Sequence, residues 1–277
     1  MSRAAPGFRR LRRGRTLLAV DPRYEAAAGE LGLLEPDGPR RWRAAVSGVG
    51  GGRGPTALLE LAGGGRLLLR PVLHGGWLGP LLGGALLGMG RPLRELETSA
   101  ALREAGAPVA TPVLAVGRRV AGPVWEAAVG TLYEEGSEDA QRFLERHPPR
   151  AAVLRAAAAA GRAVRRFHDA GGRHADLHLQ NLLLREGEAG VEALVIDLDK
   201  ARRVARVAPA RRMAELMRLY RSACKRDLAA QIGPRGCARF FGTYVRGDRA
   251  LRRALWAHLG RERWKLRLHA LGWRVGR

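Results

Sequence analysis

Asn181 is the only asparagine in the chain, and it closes the run His174-Ala175-Asp176-Leu177-His178-Leu179-Gln180-Asn181, sixteen residues ahead of Asp197 in Val195-Ile196-Asp197-Leu198-Asp199. Side chains of these types at these separations suit phosphoryl transfer. The first Asp orients a hydroxyl that attacks ATP, while the Asn and the later Asp hold the Mg²⁺ ions that neutralise the phosphates. Little covalent help from the protein is needed, because alignment and charge neutralisation carry the reaction. Asp176 is therefore the candidate catalytic residue, with Asn181 and Asp197 as candidate metal ligands. His178 is a second catalytic candidate, placed to contact the transferring phosphate or a carboxylate of the acceptor. The competing reading is a turn whose polar side chains only satisfy backbone groups. His174 and His178 also have the spacing of zinc ligands on a helix, but that site needs a third ligand, and the sequence predicts a loop here. His174 is read as structural, bonding the backbone near Asp197.

A loop of this kind must be presented by a helix and followed by a strand. The segment Ala151 to His168 is helical in pattern, with Leu154, Ala158, Gly161, Val164 and Phe167 near helical period. Gly171-Gly172 stops it, and the strand Ala193 to Ile196 delivers Asp197. Upstream, Trp42 to Val46, Thr56 to Leu61 and Arg66 to Val72 read as strands between Gly-rich breaks. The glycines between the first two, Gly50 and Gly52 among them, could let backbone N–H groups approach phosphate. One hairpin on, the strand Leu67-Leu68-Leu69-Arg70 ends in a cation. Protein kinases place a Lys here, paired to a Glu on the next helix. No Lys occurs before Lys200, so the role falls to Arg70 or is unfilled. Arg91 to Glu104 is the next helix, and Glu95 is the expected partner of Arg70, with Glu97 in reserve. Further short strands include Val124 to Val129 and Thr131 to Tyr133, and Glu134-Glu135-Gly136 reads as a hinge. A helix is expected over Asp139 to Glu145. The expected architecture is α+β, a bilobal protein-kinase-like fold. Residues 1–135 form a β-rich N-lobe with one main helix and a basic tail over 1–15, and residues 136–277 form a mostly helical C-lobe.

Composition narrows the partners. The chain holds 46 Arg against 3 Lys, with 37 Gly, a bias that GC-rich codons produce by themselves. The excess charge is nonetheless uneven: of the net +23, residues 201–277 supply 21 Lys plus Arg against 4 Asp plus Glu. Such a field favours a polyanion, whether nucleic acid, anionic lipid or a phosphorylated substrate. Beyond Asp197 the chain is helical and basic, with Met213, Leu216, Met217 and Tyr220 as an apolar stripe. Arg211, Arg212, Arg218, Arg221 and Arg226 surround it, a face either solvated or able to grip lipid phosphates. Cys224 and Cys237 lack the density of a disulfide scaffold and read as reduced cytosolic thiols. Met1 to Arg15 is basic but not followed by the apolar stretch of a secretory signal. Residues 71–90 carry no Asp, Glu, Lys or Arg, but seven glycines and two prolines argue against a spanning helix. A partly apolar connection that packs on the fold, or touches a membrane surface, is expected there.

Gly63-Gly64-Gly65-Arg66 through Arg70, His74-Gly75-Gly76-Trp77-Leu78, Leu93-Arg94-Glu95, Gly106-Ala107-Pro108-Val109, Phe167-His168, His174-Ala175-Asp176-Leu177 and Ile196-Asp197-Leu198-Asp199 together resemble the lipopolysaccharide kinases. Within that group the likeness is closest to the 3-deoxy-D-manno-octulosonic acid (Kdo) kinases. The resemblance covers about Gly48 to Lys225, and the His-Ala-Asp-Leu stretch is its most specific piece. It implies transfer of the ATP γ-phosphate, with Mg²⁺, to the 4-hydroxyl of a Kdo residue on a lipid A precursor. The place of action would be the cytoplasmic face of the bacterial inner membrane, with peripheral contact to an anionic membrane surface and no nucleic acid partner. Carried over by position, Asp176 is the catalytic Asp, Asn181 and Asp197 the metal ligands, and Arg70 and Glu95 the phosphate-holding pair. The chain departs from the family pattern at His178-Leu179-Gln180, where Asn-Ala-His is expected, at Leu198 in place of an aromatic residue, and at Lys200-Ala201 in place of Arg-Gly. Those positions touch the loop and the acceptor side.

Overall fold

The computed structural model describes residues 7–36, 38, 46–47, 56–73, 85–188 and 190–260. The chain divides into two units: residues up to Ala101 with Ala110–Glu135, and Leu102–Val109 with Gly136 onward. Gly50, Gly52 and the stretch 74–84 lie outside the described residues.

The first unit is an antiparallel sheet. Its strands are β1 (Arg9–Arg13), β2 (Thr16–Val20), β3 (Val46–Ser47), β4 (Thr56–Glu60), β5 (Arg66–Pro71), β6 (Leu86–Leu87), β7 (Pro112–Ala121) and β8 (Val124–Leu132). They run in the order β1-β2-β7-β8-β5-β4-β3, with β6 paired to β8. Residues 9–13, expected within a basic tail, are a strand in full register with β2, from Arg9 opposite Val20 to Arg13 opposite Thr16. Arginines conceal this strand, since half-exposed arginine stems can lie along a sheet while their heads stay in water. The two strands expected over 124–133 are one, because β8 is bonded on both sides, to β5 and β7.

Side-chain alternation along β5 sorts its two faces. Leu67 and Leu69, both 0% exposed, join Leu18, Val20 and Leu114 in one core beside α1 (Glu25–Glu30). Arg70, one residue on, falls on the opposite face with its cross-strand partner Val129. That face is covered by α2 (Gly90–Glu104), whose Leu93 and Leu96 pack with Ala115, Ala127 and Val129. Period two on the strand and period 3.6 on the helix thus put Arg70 and α2 on one side.

The second unit is built on helices α3 (Ala140–Glu145), α4 (Arg150–Asp169), α5 (Pro209–Lys225) and α6 (Ala229–Val245), with a further helical segment, α7, at 249–260. Asp139 caps α3, accepting from the N–H groups of Gln141 at 3.0 Å and Arg142 at 3.1 Å. α4 is alanine-rich and buries Val153, Ala156, Ala160, Ala163, Val164 and Phe167 at helical spacing. Its Gly161 lies where a Cβ would stand 2.4 Å from the Phe240 carbonyl oxygen, so α4 and α6 approach closely only because that side chain is missing. The helix stops at Gly171, in the left-handed region at φ +85°. Gly233 and Pro234 kink α6. Small sheets complete the unit: β9 (Ser137–Asp139), β11 (Leu182–Gly187) and β12 (Gly190–Val195) in the order β12-β11-β9, and β10 (Gly172–Arg173) with β13 (Arg202–Arg203). Residues 102–109 belong here because Leu102 and Val109, both 0% exposed, enter this unit's core, and Pro108 O accepts from Val195 N at 2.8 Å.

Candidate active site

The geometry of the candidate loop follows from one hairpin. β11 and β12 pair with Leu182 opposite Val195, so the residues flanking that pair must be neighbours. Asn181 immediately precedes β11, Ile196 and Asp197 immediately follow β12, and Ile196 N donates to Asn181 O at 3.0 Å. Fifteen residues of intervening chain are consumed by the two strands and their turn, which is why Asn181 and Asp197 lie together at one end of the hairpin. Asn181 closes a short 3₁₀ turn, Leu179–Asn181, and is 4% exposed.

Its carboxamide is oriented by the loop. Nδ2 donates to Asp176 O at 2.8 Å and to His178 Nε2 at 3.2 Å. Both bonds use the NH₂ group, which leaves Oδ1, an acceptor only, as the carboxamide atom that could meet a cation. Asp176, tied to Asn181 through its own carbonyl, keeps its carboxylate 63% exposed to solvent. Asp197 adopts φ +58°, a conformation that Asp tolerates better than most residues and that is found where a side chain must be aimed.

His174 is 2% exposed and acts as the loop's internal strut. Its Nε2–H donates to Ile196 O at 3.0 Å, and its Nδ1 accepts from Asp176 N at 3.2 Å. One ring thus ties the residue before Asp197 to Asp176. His178 Nε2, an acceptor toward Asn181, is 3.8 Å from Asp176 Oδ2. Burial pushes its pKa below the usual histidine value, against the pull of the Asp176 charge, so the neutral ring prevails at pH 7. Among the described residues no three of His, Cys, Asp and Glu cluster as metal ligands, which leaves the zinc reading of His174 and His178 without a third ligand.

Beneath the loop lies a polar network that the sequence did not expose. Glu215 on α5 is 0% exposed, and its Oε2 accepts from His174 N at 2.9 Å and lies 3.2 Å from His168 Nε2. A carboxylate only accepts, so His168 carries its proton on Nε2 and accepts at Nδ1 from the Tyr244 hydroxyl, 2.6 Å away. Burial holds the His168 ring neutral and pushes the Tyr244 phenol well up. Arg212, expected on a face either solvated or able to grip lipid phosphates, belongs to this interior instead. It is 7% exposed and donates to Val207 O, Asp169 Oδ1 and His168 O. The only sequence hint of this network was the Phe167-His168 pair ending α4.

In the first unit Arg70 and Glu95 form an ion pair at 2.5 Å, with the Glu95 side chain 5% exposed. Glu97, the reserve partner, instead faces Arg10 at 3.7 Å.

The class is that of a phosphotransferase with a hydroxyl acceptor, on a kinase-like fold. The sequence model of the lipopolysaccharide kinase (Kdo/WaaP) family matches residues 84–244, and the chain belongs to that family. Among solved structures, "WaaP in complex with acyl carrier protein" is similar at 24% identity and TM-score 0.55, over 84% of this chain and 96% of that one. A glucosamine kinase is similar at 13% identity and TM-score 0.45, over 87% of this chain and 79% of that one. A second glucosamine kinase structure, with glucosamine, ADP and inorganic phosphate, aligns at 13% identity and TM-score 0.41, over 89% and 76%. No curated protein sequence matches the chain significantly.

Proposed function

We propose that the chain transfers the γ-phosphate of ATP to the 4-hydroxyl of a Kdo residue on a lipid A precursor. The observation that carries the phosphotransfer is the hairpin end, where Asn181 and Asp197 are neighbours and Asn181 Nδ2 holds Asp176 O at 2.8 Å. Two hard oxygen donors, the Asn181 carboxamide and the Asp197 carboxylate, fit Mg²⁺, which takes few protein ligands and completes its shell with water and substrate phosphate oxygens. Bound there, the ion would neutralise charge on the phosphates. Asp176 accepts a hydrogen bond from the attacking hydroxyl and takes its proton late. Neutral His178, its Nε2 accepting from Asn181, helps fix that carboxamide and repels no cation. Arg70, braced by Glu95, holds the α- and β-phosphates in place of the usual Lys, its planar head giving a two-pronged contact. The acceptor reading rests on the residues shared with Kdo kinases. Among the described residues no helix is long and apolar enough to cross a membrane, and the basic C-terminal segment supports peripheral attachment at the cytoplasmic face.

Incubation with ATP, Mg²⁺ and either a Kdo-bearing lipid A precursor or a heptose-bearing core acceptor tests this. Phosphorylated Kdo supports the reading; turnover of heptose alone moves the acceptor while leaving the phosphotransfer.

A second reading concerns a partner. The second unit contains a cavity of about 540 Å³ whose wall is almost wholly apolar, formed by Phe143, Met217, Ile232, Phe240 and Trp256 among others. That volume falls among small-molecule sites, yet the wall lacks the polar groups that orient a sugar or nucleotide. An acyl chain fits this chemistry, and the similar WaaP structure was solved with acyl carrier protein. We infer that this unit takes up a long acyl group, free, on lipid A or on a carrier.

A further inference from the structure

The ribbon that leads into the catalytic loop sets like charges against each other. β10 and β13 pair with Arg173 opposite Arg202 and Gly172 opposite Arg203. Directly opposed residues of an antiparallel pair emerge on the same face, and two cations there are destabilising unless an anion lies between them. Neither arginine meets a carboxylate among the described residues, and Arg202 and Arg203 are exposed. Independently, Arg173 Nε is buried with no hydrogen-bond partner, a condition that native structures rarely leave unanswered. A third guanidinium is close by: Arg218 Nη1 donates to the carbonyl of His174, the residue next to Arg173, at 3.4 Å. Arg203 spends its Nε on Ala170 O at 3.4 Å, which braces the ribbon against the end of α4. Arg173 is three residues ahead of Asp176 along the same loop.

We propose that Arg173 and Arg202, with Arg218 beside them, form an anion subsite that binds an acidic group of the acceptor, a carboxylate or a phosphate, and so registers its hydroxyl on Asp176. The assignment to the acceptor rests on the reading above, in which the nucleotide phosphates belong to Asn181, Asp197 and Arg70. A planar guanidinium suits such oxygens through paired N–H donors. This supplies orientation that the loop itself lacks, since the Asp176 carboxylate is largely exposed.

Steady-state kinetics of Arg173→Ala and Arg202→Ala test the subsite. Each should raise the acceptor KM by about 10- to 100-fold, the effect of losing a charge-assisted hydrogen bond, with KM for ATP unchanged. Three acceptors separate the sources: the bisphosphorylated precursor, the same precursor stripped of its phosphates, and its carboxyl methyl ester. An effect lost on the stripped acceptor assigns the phosphate, and one lost on the ester assigns the carboxylate. Unchanged acceptor KM throughout overturns the proposal. Inorganic phosphate gives a readout independent of the acceptor: it should protect the wild-type chain against thermal unfolding more than it protects Arg202→Ala. Equal protection of both would also overturn it. A wild-type chain that phosphorylates none of these acceptors fails the function reading instead, and the phosphate-protection arm still decides the subsite.

Discussion

Glu215 is the most informative residue to perturb, because it is buried beneath the candidate catalytic loop and bonds its backbone. In Glu215→Gln the shape is kept and the charge removed. The amide oxygen can replace Oε2 and still accept from His174 N–H and His168 Nε2–H, now at 2.9 and 3.2 Å from a neutral acceptor. Hydrogen bonds to a charged partner contribute about 1.5–3 kcal/mol and neutral ones about 0.5–1.5, so two weakened bonds cost about 2 kcal/mol. The new NH₂ would stand near Arg211 Nε, which lies 3.3 Å from Oε1 without hydrogen-bond alignment, and would place donor against donor. Arg211 is 41% exposed, so the loss of that ion pair adds little. A 2 kcal/mol loss lowers Tm by about 4–8 °C for a chain of this size. His174 also braces Ile196 O and Asp176 N, so a shifted loop should lower kcat by up to about 100-fold at temperatures where the variant is fully folded. Nucleotide affinity should stay within about twofold, because Glu215 touches no candidate nucleotide ligand. Denaturant melts, isothermal titration with nucleotide and single-turnover phosphorylation measure the three quantities. A variant as stable and as fast as the parent would refute the claim that this carboxylate holds the loop.

The remaining expectations concern the reacting groups and the environment. Asp176→Asn should lower turnover by about 10²- to 10⁴-fold with an unchanged melt, checked by single-turnover assay and circular dichroism. Asp197→Ala should abolish Mg²⁺-dependent nucleotide binding in a calorimetric titration while leaving the hairpin intact. His168 and His178 both have pKa values lowered by burial, so the unfolded chain binds more protons than the native one once pH drops below the ordinary histidine value. Unfolding free energy should therefore fall below about pH 6.5, by at most about 1.4 kcal/mol per pH unit for each ring, and His178→Asn should flatten part of that slope in denaturant melts. Ala157→Phe, placing a ring on the cavity wall, should reduce acyl material retained on the purified protein, read by lipid mass spectrometry, without loss of fold.

The candidate groups could be named from the sequence because phosphoryl transfer demands particular oxygens. A lone Asn flanked by Asp176 and Asp197 is a chemical signature, and it survives a GC-driven composition that turned nearly every cation into Arg. The strand Arg66–Pro71 and the helices at 90–104 and 150–169 were also readable, since their apolar residues repeat at the period of the element. β11 was not, because Leu182-Leu183-Leu184 has no alternation to distinguish a strand from a loop or a buried turn. The strand at 9–13 was concealed by four arginines.

Sequence alone determined which groups could do chemistry and their order along the chain. Tertiary structure decided their distances: a hairpin register of Leu182 opposite Val195 closes fifteen residues so that Asn181 meets Ile196 and Asp197. Packing likewise decided that Glu215 and Arg212, two charged residues on a very basic helix, are interior. Helical period places a residue on a face, but only the neighbour covering that face removes its water, and a buried charge persists there because His174, His168 and Asp169 offer it partners.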